Sequence, residues 1–557
     1  MQNFVASEAH FQSTKAWIGE CSGSHDSCRK SREEPLPSRV INVGLGDKSG
    51  NSARIFISRG QKAPYAALSY RWGRSNFILT SKNLQAYQRG LPMANLPQTI
   101  LDAITCTQRL GITYLWVDAL CILQDSEQDK AQEIGRMSAI YQNAHITISA
   151  AIAANSEEGF LHKREFASAI PGWQVPYLPF RCGEDNDGSD QIGTVGLLKF
   201  SRTAYRDPIT TRAWTFQEHM LSRRLLVYGG LDFYRLCLQG PEEGAPRLDW
   251  DTTDDGEGDA AGRFGRGLLP ETRRMLNANN PVAAAEQTGS RRGKEGRWEK
   301  VAEEYSRRAL TFPRDRLPAL SAIAEAFRLP PADYIAGCWR PWLARQLAWK
   351  CKEPADAKRL DGVGPSWSWT SLAGPIDFAT DTMTSYTSGS MREEAPVEQV
   401  RIVVARATPR HKKAPYGEIS GSKLVVNGRL VPCALGLGEL MGRNPNKDTR
   451  AWHRWKEESF YPDCIAEVEA LDDGDPIYVV PLLRSSKEGI LCSLVVTGTA
   501  SALHRIGVYY GVSVLKHGED GDERADSSLS RRKRMRSLAS KFTRVKPERG
   551  YQVLKLK

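Results

Sequence analysis

Asp118 stands alone among apolar residues in TYLWVDALCI, from Thr113 to Ile122. A carboxylate in so apolar a run is buried, and a buried carboxylate needs partners. Asp118 therefore either binds ligand hydroxyls or completes a structural hydrogen-bond network. A second cluster, Cys21, His25 and Cys28, supplies three side chains of zinc-ligating type within a short span. A structural zinc site takes four ligands, and His10 is the only other candidate close in sequence, so no metal is assigned. Cys121 reads as a small buried hydrophobe rather than a nucleophile. Glu218, taken alone beside His219, Arg223 and Arg224, reads as one end of a helix-surface salt bridge. Trp72, Trp116 and Trp214 read first as core residues.

These residues need a scaffold, and the sequence supplies an alternating one. Tyr65 to Tyr70 (YAALSY) is a short apolar strand. Pro97 opens a helix in which Thr99 and Asp102 form a capping box, Ile100, Ala103, Ile104 and Leu110 make one apolar stripe, and Gly111 ends it. Thr113 to Ile122 then reads as a strand covered on both faces. Ser126 and Asp129 offer another capping box before the helical face Ile134, Met137, Tyr141 and Ala144, and HITISAAI follows as a strand. This order predicts an α/β domain with a parallel sheet flanked by helices, YAALSY and TYLWVDALCI being central neighbours. Ligands of such sheets sit at the C-terminal strand ends, where Ser69, Tyr70, Trp72 and Asp118 fall.

The remainder of the 557-residue chain divides by composition. Residues 1–62 form an N-terminal segment, 65–239 the α/β domain, and 240–297 a polar Gly/Asp/Arg-rich insertion with no periodic apolar face, expected to be flexible. Residues 298–523 begin helically, at Trp298 to Ala309 and Leu317 to Phe327, and become β-rich through SKLVVNGRLV, DPIYVVPLL, GILCSLVVTG and RIGVYYGVSV. Residues 524–557 are a basic tail. Net charge is +11, and the tail alone carries +10 of it, so nucleic-acid binding is not expected of the folded body and would be weak through the tail. The run Arg531, Arg532, Lys533, Arg534 and Arg536 reads first as a solvated segment, and otherwise as a nuclear import signal or an anionic-lipid contact. No apolar stretch is long enough for a membrane helix, the N-terminus lacks a signal-peptide pattern, and 11 scattered cysteines fit reduced thiols, so an intracellular, cytoplasmic protein is expected. Phosphate-loop, nucleophile-elbow, HExxH and dinucleotide-fingerprint motifs are absent.

Read together, AWIGECSGSHDSC, LPSRVINVG, YAALSYRWG, LPQTILDAI, YLWVDALCILQD, IGRMSAIYQNA, RAWTFQEHMLSRRLLVYG, DRLPALSAIA and PSWSWTS form an ordered series. The series resembles fungal heterokaryon incompatibility (HET) domain proteins, with Leu123 standing where that family usually has an acidic residue. The resemblance implies a fold similar to Toll/interleukin-receptor (TIR) domains, some of which cleave NAD. It aligns RAWTFQEHM with a Trp-x-x-x-Glu helix carrying a catalytic glutamate. Glu218 is then the catalytic candidate, and Trp214, at i and i+4 on the same helical face, joins Ser69, Tyr70, Trp72 and Asp118 as substrate-binding candidates. NAD would be substrate, and no cofactor is expected. The implied role is self/non-self recognition or programmed cell death, by NAD hydrolysis or, alternatively, by homotypic assembly of a non-enzymatic signalling module. The expected partners are further copies of the chain and an unidentified incompatibility protein.

Overall fold

The computed structural model describes residues 5–28, 34–45, 53–73, 77–162, 177–184, 190–196, 207–230, 233–241, 272–273, 275–276, 293–378, 397–433, 459–471, 475–484, 490–512 and 552–556. They fall into two compact units, 1–290 and 291–557.

The first unit is built on an eight-stranded mixed sheet. Its strands are β1 (Arg39–Asn42), β2 (Arg54–Ile57), β3 (Tyr65–Ser69), β4 (Tyr114–Trp116) and β5 (Ile146–Ser149). After a separate hairpin, β6 (Tyr177–Glu184) with β7 (Asp190–Gly196), come β8 (Leu225–Tyr228), β9 (Phe233–Cys237) and β10 (Gly240–Pro241). The sheet order is β10-β9-β8-β5-β3-β4-β1-β2. Pairing is parallel between β4 and β3, β3 and β5, and β5 and β8, and antiparallel at both flanks. YAALSY and TYLWVDALCI thus supply neighbouring parallel strands, as their apolar runs require, and every residue of β3, β4, β5 and β8 is buried. The sheet is mixed rather than wholly parallel because β1 and β2, from the N-terminal segment, close one flank and β9 and β10 the other. Among the described residues no helix is long and apolar enough to cross a membrane.

The helices of this unit are α1 (Glu8–Ser24), α2 (Leu84–Arg89), α3 (Gln98–Arg109), α4 (Asp118–Cys121), α5 (Glu127–Ile134), α6 (Met137–Asn143) and α7 (Ala213–Leu221). The chain passes from β3 through α3 to β4 on one side, then returns through α5 and α6 to β5 on the other side of β3. By the right-handed rule for such crossovers, α3 and α6 cover opposite faces. α6 and α7 pack against each other. α1 is tied to the far end of the unit: the His10 ring lies 4.1 Å from that of Phe233, and its Nε2 is 3.2 Å from the Tyr228 hydroxyl.

Local expectations changed in three places. TYLWVDALCI is not one strand: the chain leaves the sheet at Val117 and turns through α4, whose Ala119, Leu120 and Cys121 remain buried, so the apolar run persists after the strand stops. Thr99 and Asp102 do not form a capping box. Instead Asp102 accepts the Phe160 and Leu161 amides at 2.6 and 2.9 Å and fixes the loop after β5. Ser126 does cap, accepting the Asp129 amide at 3.2 Å, but the helix breaks into α5 and α6 around Gly135 and leaves Ile134 exposed.

The second unit starts with α8 (Gly293–Ser306) and α9 (Pro318–Ala326) and ends in a nine-stranded sheet. The four expected β segments contribute Ile419–Gly428, Ile477–Arg484, Ile490–Thr499 and Ala502–Val512, and Arg401–Pro409 adds a strand that the sequence reading missed. Its core holds Trp298, Trp339, Trp349, Trp367 and Trp369. Most of 240–297 and of the basic tail lies outside the described residues, as do Arg531, Arg532, Lys533, Arg534 and Arg536. Within the insertion, β10 pairs with β9, and buried Arg273 donates to the Ser222 carbonyl at 2.6 Å. In the tail, Gln552–Leu556 pairs with Ile419–Gly428.

Candidate functional site

Because the crossover after β3 runs to one side of it and that after β5 runs to the other, the C-terminal ends of β3 and β5 form the switch point at which open α/β sheets bind ligands. Ser69 ends β3, and Tyr70 and Trp72 follow it. Gly73 then turns the chain with φ of 69°, and a Cβ there would sit 2.6 Å from the Cβ of Asn155, so only glycine lets this loop meet the loop after β5. Asp118 comes from the end of β4, and Ser149 from the end of β5.

The structure brings Ser69, Tyr70, Trp72, Asp118 and Glu218 together. The Trp72 indole donates to Asp118 at 2.7 Å, and the Ala119 amide donates to the other carboxylate oxygen at 2.8 Å. Arg212, just before α7, donates to the Tyr70 carbonyl at 2.9 Å and lies 5.9 Å from the Trp72 ring centroid, within cation–π range. Asp118 keeps some solvent contact as a residue, while its carboxyl is held among Trp72, Tyr70 and Arg212. Burial raises its pKa, and Arg212 and the indole N–H oppose that rise.

Glu218 is 3% exposed, which overturns its reading as a helix-surface salt bridge. α7 turns it toward the end of β3 because Phe216, Gln217, His219 and Met220 are buried with it, leaving little of this helix for solvent. Burial raises the Glu218 pKa to about 7; Arg212 pulls it down and Asp118 pushes it up. The Ser69 hydroxyl lies close enough to act on Glu218, yet it is buried without a hydrogen bond of normal geometry. Tyr141 donates to the Leu68 carbonyl at 3.0 Å, which holds α6 against the end of β3. The arrangement can take up and release a proton near neutral pH and can stabilise positive charge, with an arginine to neutralise an anionic group.

Trp214 sits one turn before Glu218 and is half-buried. Among the described residues it joins none of these hydrogen bonds or ring contacts. The sequence reading missed Arg212, Tyr141, Ser149 and His219, the last two joined by a 3.0 Å hydrogen bond. The strand-end argument that selected Ser69 applies equally to Ser149 in HITISAAI. Arg212 and Tyr141 carry no local signal, since they reach the site only through helix packing. A narrow cleft lined by Tyr70, Trp72, Phe77, Ile78, Pro97 and Ile100 adjoins the group.

Elsewhere in this unit, Cys21, His25 and Cys28 meet Cys237 from the end of β9, their ligand atoms all within 4.8 Å of one another. The fourth member is therefore not His10, which packs against Tyr228 and Phe233.

Residues 65–218 match the family model described as heterokaryon incompatibility protein (HET). The match runs from the first residue of β3 to Glu218 itself. No curated relative and no solved structure matches the chain.

Proposed function

We propose that the chain acts in heterokaryon incompatibility through a TIR-like domain that hydrolyses the nicotinamide–ribose bond of NAD, with Glu218 as the catalytic carboxylate. The observation that carries this reading is the burial of Glu218 at the β3/β5 switch point with a pKa raised to about 7. The parallel inner strands with helical crossovers support the TIR-like reading of the fold.

In this reaction the bond between the nicotinamide nitrogen and ribose C1′ breaks and its electron pair leaves with nicotinamide. Water adds to C1′, giving ADP-ribose, and the released proton passes to Glu218 or to solvent. Positive charge develops on the ribose in between, and a desolvated carboxylate stabilises it strongly. Arg212 suits the pyrophosphate, Asp118 the ribose hydroxyls, and Trp72 and Tyr70 a ring. The narrow cleft and buried Glu218 suit a domain that turns over only once assembled.

The test is nicotinamide release from NAD by the purified chain, concentrated or crowded. Wild type should release nicotinamide, and Glu218→Gln should abolish release while keeping the wild-type circular dichroism spectrum. Wild type that stays silent even when assembled would leave homotypic assembly without catalysis as the reading. A fully active Glu218→Gln chain would remove this residue from the chemistry.

A further inference from the structure

The Cys21, His25, Cys28 and Cys237 cluster has no part in the chemistry proposed for the switch point. α1 ends at Ser24, and His25 and Cys28 follow in the turn that closes it, so three members come from one helix end. The fourth is carried by the last residue of β9. Cys21, Cys28 and Cys237 are buried free thiols.

The distances suit a single small ion. Zinc bonds of about 2.3 Å to sulfur and 2.0–2.1 Å to nitrogen, at tetrahedral angles, place sulfurs about 3.8 Å apart and a sulfur about 3.6 Å from a nitrogen. Cys237 Sγ lies 3.5 Å from His25 Nδ1, and no ligand pair is farther apart than 4.8 Å.

The surroundings also suit thiolates. The Arg224 Nε donates to Cys21 Sγ at 3.1 Å, and the Gln239 amide donates to Cys237 Sγ at 3.4 Å. Arg224 also donates to the Cys28 carbonyl at 3.1 Å, fixing the turn that presents the ligands. Three thiolates and a neutral imidazole around a divalent ion leave one formal negative charge, which the buried Arg224 guanidinium offsets. A disulfide would use two of the sulfurs and leave a third thiol and an imidazole in the same shell.

We propose that Cys21, His25, Cys28 and Cys237 bind one zinc ion, which fastens the end of α1 to the edge of the sheet. Three sulfurs and one nitrogen select zinc over hard oxygen-seeking cations. With all four positions supplied by protein, the site is closed and structural, with no place left for a catalytic water.

The full chain, purified under reducing conditions without added metal, should carry about one zinc per chain by elemental mass spectrometry. Cys237→Ser should weaken zinc binding by more than about 100-fold, beyond the 10–100-fold typical of losing an outer-shell partner. If that variant does not fold, cobalt-exchanged wild type decides: it should show the intense visible bands of tetrahedral cobalt and thiolate charge transfer, and zinc should protect Cys21, Cys28 and Cys237 from alkylation until a chelator is added. Wild type without zinc, a weak octahedral cobalt spectrum, a disulfide within the cluster of the freshly reduced chain, or Cys237→Ser with undiminished affinity would each overturn the site.

Discussion

Each unit buries a carboxylate near arginine, and the two arrangements differ in how completely the charge is answered. In the second unit Asp463 takes two hydrogen bonds from Arg505, at 2.8 and 2.9 Å, and a longer one from Arg359 at 3.3 Å. Arg505 is fully buried, donates also to the Leu347 and Trp349 carbonyls, and has its guanidinium 3.5 Å from the Trp349 ring centroid. Among the described residues, both Asp463 oxygens and each nitrogen of the Arg505 guanidinium have a partner. In the first unit Glu218 has Arg212 nearby, but Arg212 spends a hydrogen bond on Tyr70 and neighbours a second carboxylate, Asp118. The satisfied pair is architecture, whereas the under-compensated one is available for chemistry.

The largest expected effect breaks the satisfied side. Arg505→Met should destabilise the second unit by about 3–5 kcal/mol, because it strands Asp463, and Asp463→Leu in the same chain should recover much of the loss. Denaturant unfolding followed by tryptophan fluorescence checks this. A single variant as stable as wild type would mean that Asp463 is solvated after all.

The next effect has the opposite sign. Below pH 4.5 Glu218 is neutral in both the folded and the unfolded chain. Between 4.5 and about 7 the unfolded chain ionises first, so stability falls as pH rises, and above about 7 the loss is complete. Glu218→Gln escapes that loss. It should be more stable than wild type by about 1–3 kcal/mol at pH 8 and nearly equal to it at pH 4.5. Unfolding curves at the two pH values decide, and a variant less stable at pH 8 would place Glu218 with the satisfied carboxylates.

The smallest effect sharpens the contrast inside the site. Trp72→Phe removes the indole N–H that holds Asp118 at 2.7 Å, at a cost of about 1 kcal/mol, and should move the Asp118 pKa further up. Carboxyl chemical shifts followed through a pH titration report it. An unmoved Asp118 would assign its charge balance to Arg212, Tyr70 and the Ala119 amide.

The sequence reveals some of this and conceals the rest for identifiable reasons. β3 and β4 are legible because strands covered on both faces are almost continuously apolar. The same signal hid the start of α4, since Ala119 to Cys121 are buried whether extended or helical. Ser69, Tyr70, Trp72 and Asp118 followed from the strand-end rule. The burial of Glu218 did not, because the adjacent Arg223 and Arg224 mimic a solvated surface, whereas Arg224 is itself buried against Cys21 and Ser22. Cys237 escaped because a ligand so distant in sequence has no spacing to Cys28 that a pattern could match.

The attachment of α1 to late strands also fixes an order of events during synthesis. His10 and Tyr228 are 218 positions apart, so at about 5–20 residues per second His10 waits roughly 10–40 s for the hydroxyl it pairs with. Throughout that interval His10, buried in the finished fold against Tyr228 and Phe233, lacks the partners that cover it. Changes that slow or weaken β8 and β9 will therefore cost nascent chains first, before any loss of folded stability can be measured.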